Sequence, residues 1–158
     1  METMGGNNPN DAGASSATGY AGTSSATGYA GASSATGTRG VSSATGIRGV
    51  SSATGYAGTS LATGIRGVSS ATGTAGASSA TGDAGASSAT GTCSAAVVTG
   101  LNGKVRGGEF GCVALAWRNK KEQRSEMRCA LVGSGVGSLK PNVWYQLNAK
   151  GKFVEIKD

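Results

Sequence analysis

Over most of this chain the pattern is carried by small side chains rather than large apolar ones. From residue 11 to residue 91 the unit x-[AR]-G-[AVT]-S-S-A-T-G returns every nine residues, in nine copies with no insertion or deletion, and Leu61 is its one departure. Inside each copy, Ser15 and Ala17 alternate with Ala14, Ser16 and Thr18, which is the two-residue period of a strand. Thr and Val favour an extended run. The Gly-x-x-Gly segments between runs favour turns, because Gly tolerates positive φ at low cost. The pattern predicts a strand over 14–18 and at each equivalent nine residues on.

A disordered linker needs no register, since insertions in it are nearly free. Unbroken phase requires each unit to match its neighbour in space, which favours a solenoid over disorder. Silk-like stacking would draw on the same residues. Nine residues are too few to close a coil, so two units are expected per coil, giving two strands and two turns. That pairing stacks Ile47 on Ile65 and Val50 on Val68, and sets Arg48 one coil from Arg66.

The set that hardly varies between copies belongs inside: Ser15, Ala17, Ser33, Ala35, Ser51 and Ala53 form the expected interior ladder. The variable set belongs outside, where Thr18, Thr36, Thr54, Thr72 and Thr90 make one rank on the outer face. Buried hydroxyls require partners, expected from the backbone of neighbouring coils. The expected fold class is all-β: a thin β-solenoid, two nine-residue repeats per coil, with a small C-terminal β-meander as its cap.

The tenth unit, Thr92–Gly100, is degenerate. An eleventh starts at Leu101, keeps Gly103 in phase and then dissolves. Beyond it the sequence predicts strands over Gly111–Arg118, Met127–Val132, Val143–Leu147 and Phe153–Ile156. A charged turn at 119–125, a Gly-rich loop at 133–142 and a tight turn at 148–151 separate them. A segment this short folds poorly by itself, so it is expected to dock on the last coils through Val97, Val98, Leu101 and Val105. The division is then 1–10, an N-terminal segment; 11–100, the solenoid; and 101–158, a small basic β domain.

Composition sharpens this picture. Gly, Ala, Ser and Thr supply 91 of 158 residues, while Leu, Ile, Val and Phe number 22. That share lies below the roughly 20% at which a chain struggles to bury an ordinary core, so a well-packed α/β enzyme is not expected. A narrow solenoid interior has the opposite need, because only small residues fit it. The net charge of +6 resides almost wholly after residue 91, where eleven Lys and Arg face five Asp and Glu. That balance suits a solvated face and permits weak attraction to a polyanion. Arg118, Lys120, Lys121, Arg124, Trp144 and Tyr145 are the candidate partner contacts.

Candidate chemistry is thin. With no His in the chain, Ser–His and Cys–His catalysis has no base, and zinc loses a usual ligand, with no CxxC to replace it. Cys93, Cys112 and Cys129 are too few and too irregular for a disulfide framework. Cys112 and Cys129 are expected on neighbouring strands as buried thiols. The run GSGVGSLK at 133–140 lacks the Gly-Lys-Ser/Thr ending of a phosphate loop. Trp117, Trp144 and Tyr145 beside cations have the chemistry to stack bases, and equally make the core of a small β domain. No catalytic residue, cofactor or metal is expected, nor a membrane span. The polar start METMGGNNPN lacks a signal sequence; synthesis in the cytoplasm is expected, with a virion or release by lysis as alternatives.

The segment SSATGYAGASSATG at 24–37 is similar to the Ser-Ala-x-Gly repeats of trimeric autotransporter heads, whose period is longer. It resembles more closely a group of bacterial and phage-associated proteins with tandem nonapeptides of the Thr-Gly-x-x-Ser-Ala-Ala type. In that group the repeats run into a short β segment, matched here by Gly111–Trp117, Lys140–Leu147 and Gly151–Glu155. The resemblance implies a β-solenoid in a prokaryotic or phage context and transfers no activity; Gly at the third position departs from it.

These readings converge on a non-enzymatic structural protein that self-assembles into oligomers or fibres. One alternative is a binding module, phage-encoded in one version, whose basic C-terminal domain engages a protein or polyanion. A lesser one is an ice-binding solenoid using its Thr ranks.

Overall fold

A computed structural model describes residues 5–7, 12–119, 124–133 and 135–157. The described residues are all-β and contain no helix. Each repeat forms one strand followed by a Gly-x-x-Gly turn. After β1 (Gly5–Asn7) come β2 (Ala14–Thr18), β3 (Thr23–Thr27), β4 (Ala32–Thr36), β5 (Val41–Thr45), β6 (Val50–Thr54) and β7 (Thr59–Thr63). Then follow β8 (Val68–Thr72), β9 (Ala77–Thr81), β10 (Ala86–Ala89), β11 (Ala95–Val98) and β12 (Lys104–Gly107). The chain ends with β13 (Cys112–Asn119), β14 (Arg124–Leu131), β15 (Trp144–Leu147) and β16 (Phe153–Glu155).

Successive strands alternate between two parallel sheets, so each coil spans two repeats, as the period requires. One sheet runs β1-β3-β5-β7-β9-β11-β13-β14, and the other β16-β15-β12-β10-β8-β6-β4-β2. Partners are 18 residues apart: Ser15 lies beside Ser33, Val50 beside Val68, and Thr54 beside Thr72. The result is a β-solenoid of about six turns. The coil does not stop where the repeat stops. β12 still pairs in parallel with β10, and β13 with β11.

The interior explains why the repeat tolerates so little change. Ser15, Ala17, Ser33, Ala35, Ser51 and Ala53 all point inward and are buried. The serines of the two sheets interdigitate, so each hydroxyl donates to the serine nine residues earlier on the opposite sheet. Ser24 donates to Ser15 at 3.0 Å, Ser33 to Ser24 at 2.9 Å, and the chain continues through Ser42, Ser51, Ser60, Ser69 and Ser78 to Ser87. The expected backbone partners are therefore secondary. Ser69 and Ser87 also reach a carbonyl, those of Ser60 and Ser78, at 2.9 Å. Oγ–Oγ bonds across the interior demand that the sheets approach closely, and a larger side chain at either position would force them apart.

The glycine that ends each unit has an equally direct cause. Gly55 has φ +150°, and a Cβ there would stand 1.6 Å from the carbonyl oxygen of Gly37, one coil earlier. No side chain fits that contact.

Beyond Ser87 the interior changes character. The inward positions become Ala96 and Val98, then Val105, then Val113 and Leu115, all buried. Val132 and Tyr145 join this apolar cluster, and Leu139, Val143, Leu147 and Phe153 pack against it. Val98 and Val105 are thus part of the docking contact expected from the sequence. The four terminal strands form near their expected positions, but they are not one meander. β14 pairs antiparallel with β13 and extends one sheet, while β15 pairs with β12 and β16 with β15 to extend the other. The physical reason is that two sheets end here, and each exposed edge takes its own hairpin.

Candidate functional site

The cap displays the side chains with the most chemistry. On the outer face of the second sheet, Trp144 pairs across the ladder with Arg106. The Arg106 guanidinium lies 4.9 Å from its ring centre and the Lys104 ammonium 5.0 Å. Arg106 Nε also donates to Ser88 Oγ at 3.0 Å, so its stem covers the strand below it. The group is a small basic and aromatic patch at the end of the flat Ser/Thr face.

A second group lies on the other sheet. Trp117 carries Arg128 over its ring at 4.8 Å, and Arg128 Nη2 meets Glu126 Oε2 at 2.7 Å. Gly151, in the β15–β16 turn, is pressed against both: a Cβ there would come within 2.9 Å of the Trp117 ring and 3.1 Å of Arg128 Nε. Beside them an open cleft of about 410 Å³ runs between the Leu101–Gly103 turn, β13 and the β15–β16 turn, with Leu115, Trp117, Arg118 and Gln146 in its walls. Asn148 is committed to the turn, where its Oδ1 accepts from the N–H groups of Lys150 and Lys152.

The sequence-predicted contacts do not form one surface. Trp144 is half-buried on one sheet, and Arg118 is exposed on the other. Tyr145 points inward and is buried, its hydroxyl accepting from the Lys140 N–H at 3.0 Å. Arg124 pairs with Asn119 in the β13–β14 ladder, and Lys120 and Lys121 lie outside the described residues. Lys104 and Arg106 over Trp144, and Arg128 over Trp117, make the observed cation–ring contacts, and none of these three cations is among the contacts expected from the sequence. The usable signal was the 18-residue frame: extended past Ser88, it lands on Arg106.

The cysteines differ from expectation. Cys93, Cys112 and Cys129 are all free and exposed. Cys129 does lie on the strand beside Cys112, opposite Ala114, but both face outward, because Val113 and Leu115 take the inward positions. In the 133–140 loop, Ser138 Oγ donates to the carbonyls of Gly133 and Gly135, the latter at 2.7 Å. The Ser138 hydroxyl is thus held within the loop. Among the described residues no group of three or more His, Cys, Asp or Glu is placed to hold a metal ion, and no helix is long and apolar enough to cross a membrane.

The Thr ranks run in register down both outer faces: Thr18, Thr36, Thr54 and Thr72 on one, and Thr27, Thr45, Thr63 and Thr81 on the other. Thr90 follows in sequence after β10, half-buried below the cap. No family model matches the chain, and no curated protein or solved structure matches it either.

Proposed function

We propose that this chain is a non-enzymatic structural protein, a short β-solenoid rod that assembles with copies of itself. The observation that carries the reading is that the sheets end in strands paired on one side only among the described residues. At the N-terminal end β2 pairs with β4 alone. In its parallel ladder Gly13 accepts from Ala32 and Gly19 donates to Thr36, so the intervening Ala14, Ser16 and Thr18 turn their backbone groups away from the rod. Such an edge is a template for another strand. The flank adds Ile47, Ile65, Val50 and Val68, exposed aliphatics on adjacent coils. Sedimentation across a concentration series, with electron microscopy of the same samples, tests the reading. Oligomers or fibres are expected, and a monomer at every concentration overturns it.

A binding module is the second reading, supported by the Lys104–Trp144–Arg106 patch. It expects a polyanion such as heparin to bind with steep salt dependence, and Arg106→Ala to weaken that binding. The Thr ranks support a third, ice binding; thermal hysteresis of the pure protein decides it.

A further inference from the structure

The geometry points to β14 as a self-recognition edge that joins two copies of this chain in a two-fold antiparallel pair centred on Met127. The inference rests on the self-association reading and specifies its surface. β14 is the last strand of its sheet and pairs only with β13 among the described residues. Val132 N–H donates to the Gly111 carbonyl, so in this alternating ladder the even-numbered residues of β14 face β13. Ser125, Met127 and Cys129 therefore aim their N–H and C=O groups away from the sheet. The Leu131 carbonyl also points away but already accepts from Leu139, which closes that end of the edge.

The side chains of this strand are arranged backwards for a capping strand. Glu126, Arg128 and Ala130 take the inward side, whereas Met127, Cys129 and Leu131 face outward. Met127 is 45% and Leu131 72% exposed. With Cys112, Ala114 and Ala116 beside them, they make an uncharged patch on the outer face, bounded by Arg118 opposite Ser125, on a chain of net charge +6. An apolar patch at an open edge marks an association surface.

Charge selects both the partner and the register. With Met127 opposite Met127 of the second copy, each Glu126 faces an Arg128 and each Arg128 a Glu126. Met127 then exchanges both main-chain bonds with its twin, and Ser125 does so with Cys129. Sliding by one residue would oppose backbone groups that point the wrong way. Moving the centre to residue 126 sets Glu126 against Glu126 and Arg128 against Arg124; moving it to residue 128 sets Arg128 against Arg128. Like charges directly opposite are unfavourable. Glu126 and Arg128 are already paired within one chain, so the dimer closes a square of four alternating charges. Arg128 keeps 40% of its side chain exposed, leaving its guanidinium room for a second carboxylate.

The overhang of the hairpin makes the pairing sterically open. Only Cys112–Leu115 of β13 lie over β11. Met127 is opposite Ala116, the first residue past the coil, so the two rods lie on opposite sides of the two-fold axis.

The test uses the full chain in light scattering over a concentration series, with circular dichroism to confirm folding. The expected species has twice the 15.3 kDa of one chain. Met127→Pro removes an outward N–H, which an edge strand tolerates, and it should leave folded monomer. Glu126→Arg alone and Arg128→Glu alone should each raise the dimer dissociation constant by about tenfold or more. Mixing these two variants should restore a dimer, since one edge is then all cation and the other all anion. Failure of mixing to restore it overturns the register. Because Arg128→Glu also disturbs the Trp117 stack, Met127→Pro and Glu126→Arg stand as independent arms. Assemblies that persist unchanged in both overturn this interface while leaving self-assembly intact. A wild-type monomer at every concentration overturns both.

Discussion

At equivalent inward positions, the repeat body holds Ser51 and Ala53, while the last coils hold Val98, Val105, Val113 and Leu115. The backbone ladder is the same in both regions; the filling differs. In the body, each coil adds hydroxyl bonds, at a net of about 1 kcal/mol apiece, and the burial of Ala methyls. In the last coils, each fully buried Val or Leu adds about 1.5–3 kcal/mol. Since a solenoid couples only neighbouring coils, stability should be graded along the rod. Hydrogen exchange is expected slowest in β11–β13 and faster toward β2. Equal protection throughout would show that the hydroxyl chain is as strong as the apolar core.

The widest break in this comparison is expected from Gly55→Ala. A Cβ 1.6 Å from a carbonyl oxygen cannot be absorbed by a side-chain shift, because the obstacle is backbone. The coil must open, and a loss above about 4 kcal/mol is expected, read as a lower denaturation midpoint. Next comes Leu115→Ala in the apolar coils, at about 2–5 kcal/mol. It should loosen the cap while exchange in β4–β6 stays nearly unchanged. A uniform loss along the rod would contradict nearest-neighbour coupling.

Ser51→Ala should cost less, about 1 kcal/mol, at the low end for a broken buried hydrogen bond. Ser60 loses its acceptor at 2.9 Å, yet Ser69 and Ser87 already show that an interior hydroxyl can reach the carbonyl nine residues earlier. Ser51→Val should be worse than Ser51→Ala, by about 1–3 kcal/mol of overpacking, although Val is the more apolar residue. In the last coils the order reverses: Val113→Ala is the damaging change.

Much of the body was legible because period and chemistry agree there. A nine-residue unit cannot close a coil, so the 18-residue pairing followed, and invariance within the repeat marked Ser15 and Ala17 as interior. The hydroxyl chain was not legible, since nothing in a Ser-Ser run tells whether a hydroxyl finds backbone or another hydroxyl; the distance between sheets decides it. In the cap the period fades, and strands were found by alternation alone. Alternation does not say which edge a hairpin joins, so two hairpins on two sheets read as one meander. The exposed thiols followed from the same gap. Once Val113 and Leu115 point inward, Cys112 must point out, and Cys129 lies on the same face two positions along the ladder.

The smallest expected effect has no trace in the sequence. Tyr56-Ala57-Gly58 and Thr74-Ala75-Gly76 occupy the same turn on successive coils of one edge. Ala57 N–H donates back to Thr38 at 2.9 Å, whereas Ala75 N–H donates forward to Thr92 at 3.0 Å. The turn has reversed, and Ala75 sits at φ 59°, in the left-handed region. Ala84 on the other edge repeats the reversal, with φ 55° and a bond forward to Leu101. A left-handed Ala costs about 1–2 kcal/mol, while Gly at that site loses about 0.5–1 kcal/mol more backbone entropy on folding. Ala75→Gly should therefore stabilise the rod by about 0.5–1 kcal/mol. Ala57→Gly, at the same place in the repeat but without the left-handed strain, should destabilise it by about 0.5–1 kcal/mol. Opposite signs in thermal or denaturant unfolding at two positions with the same Ala-Gly sequence would place the turn reversal between those coils; the same sign at both would remove it.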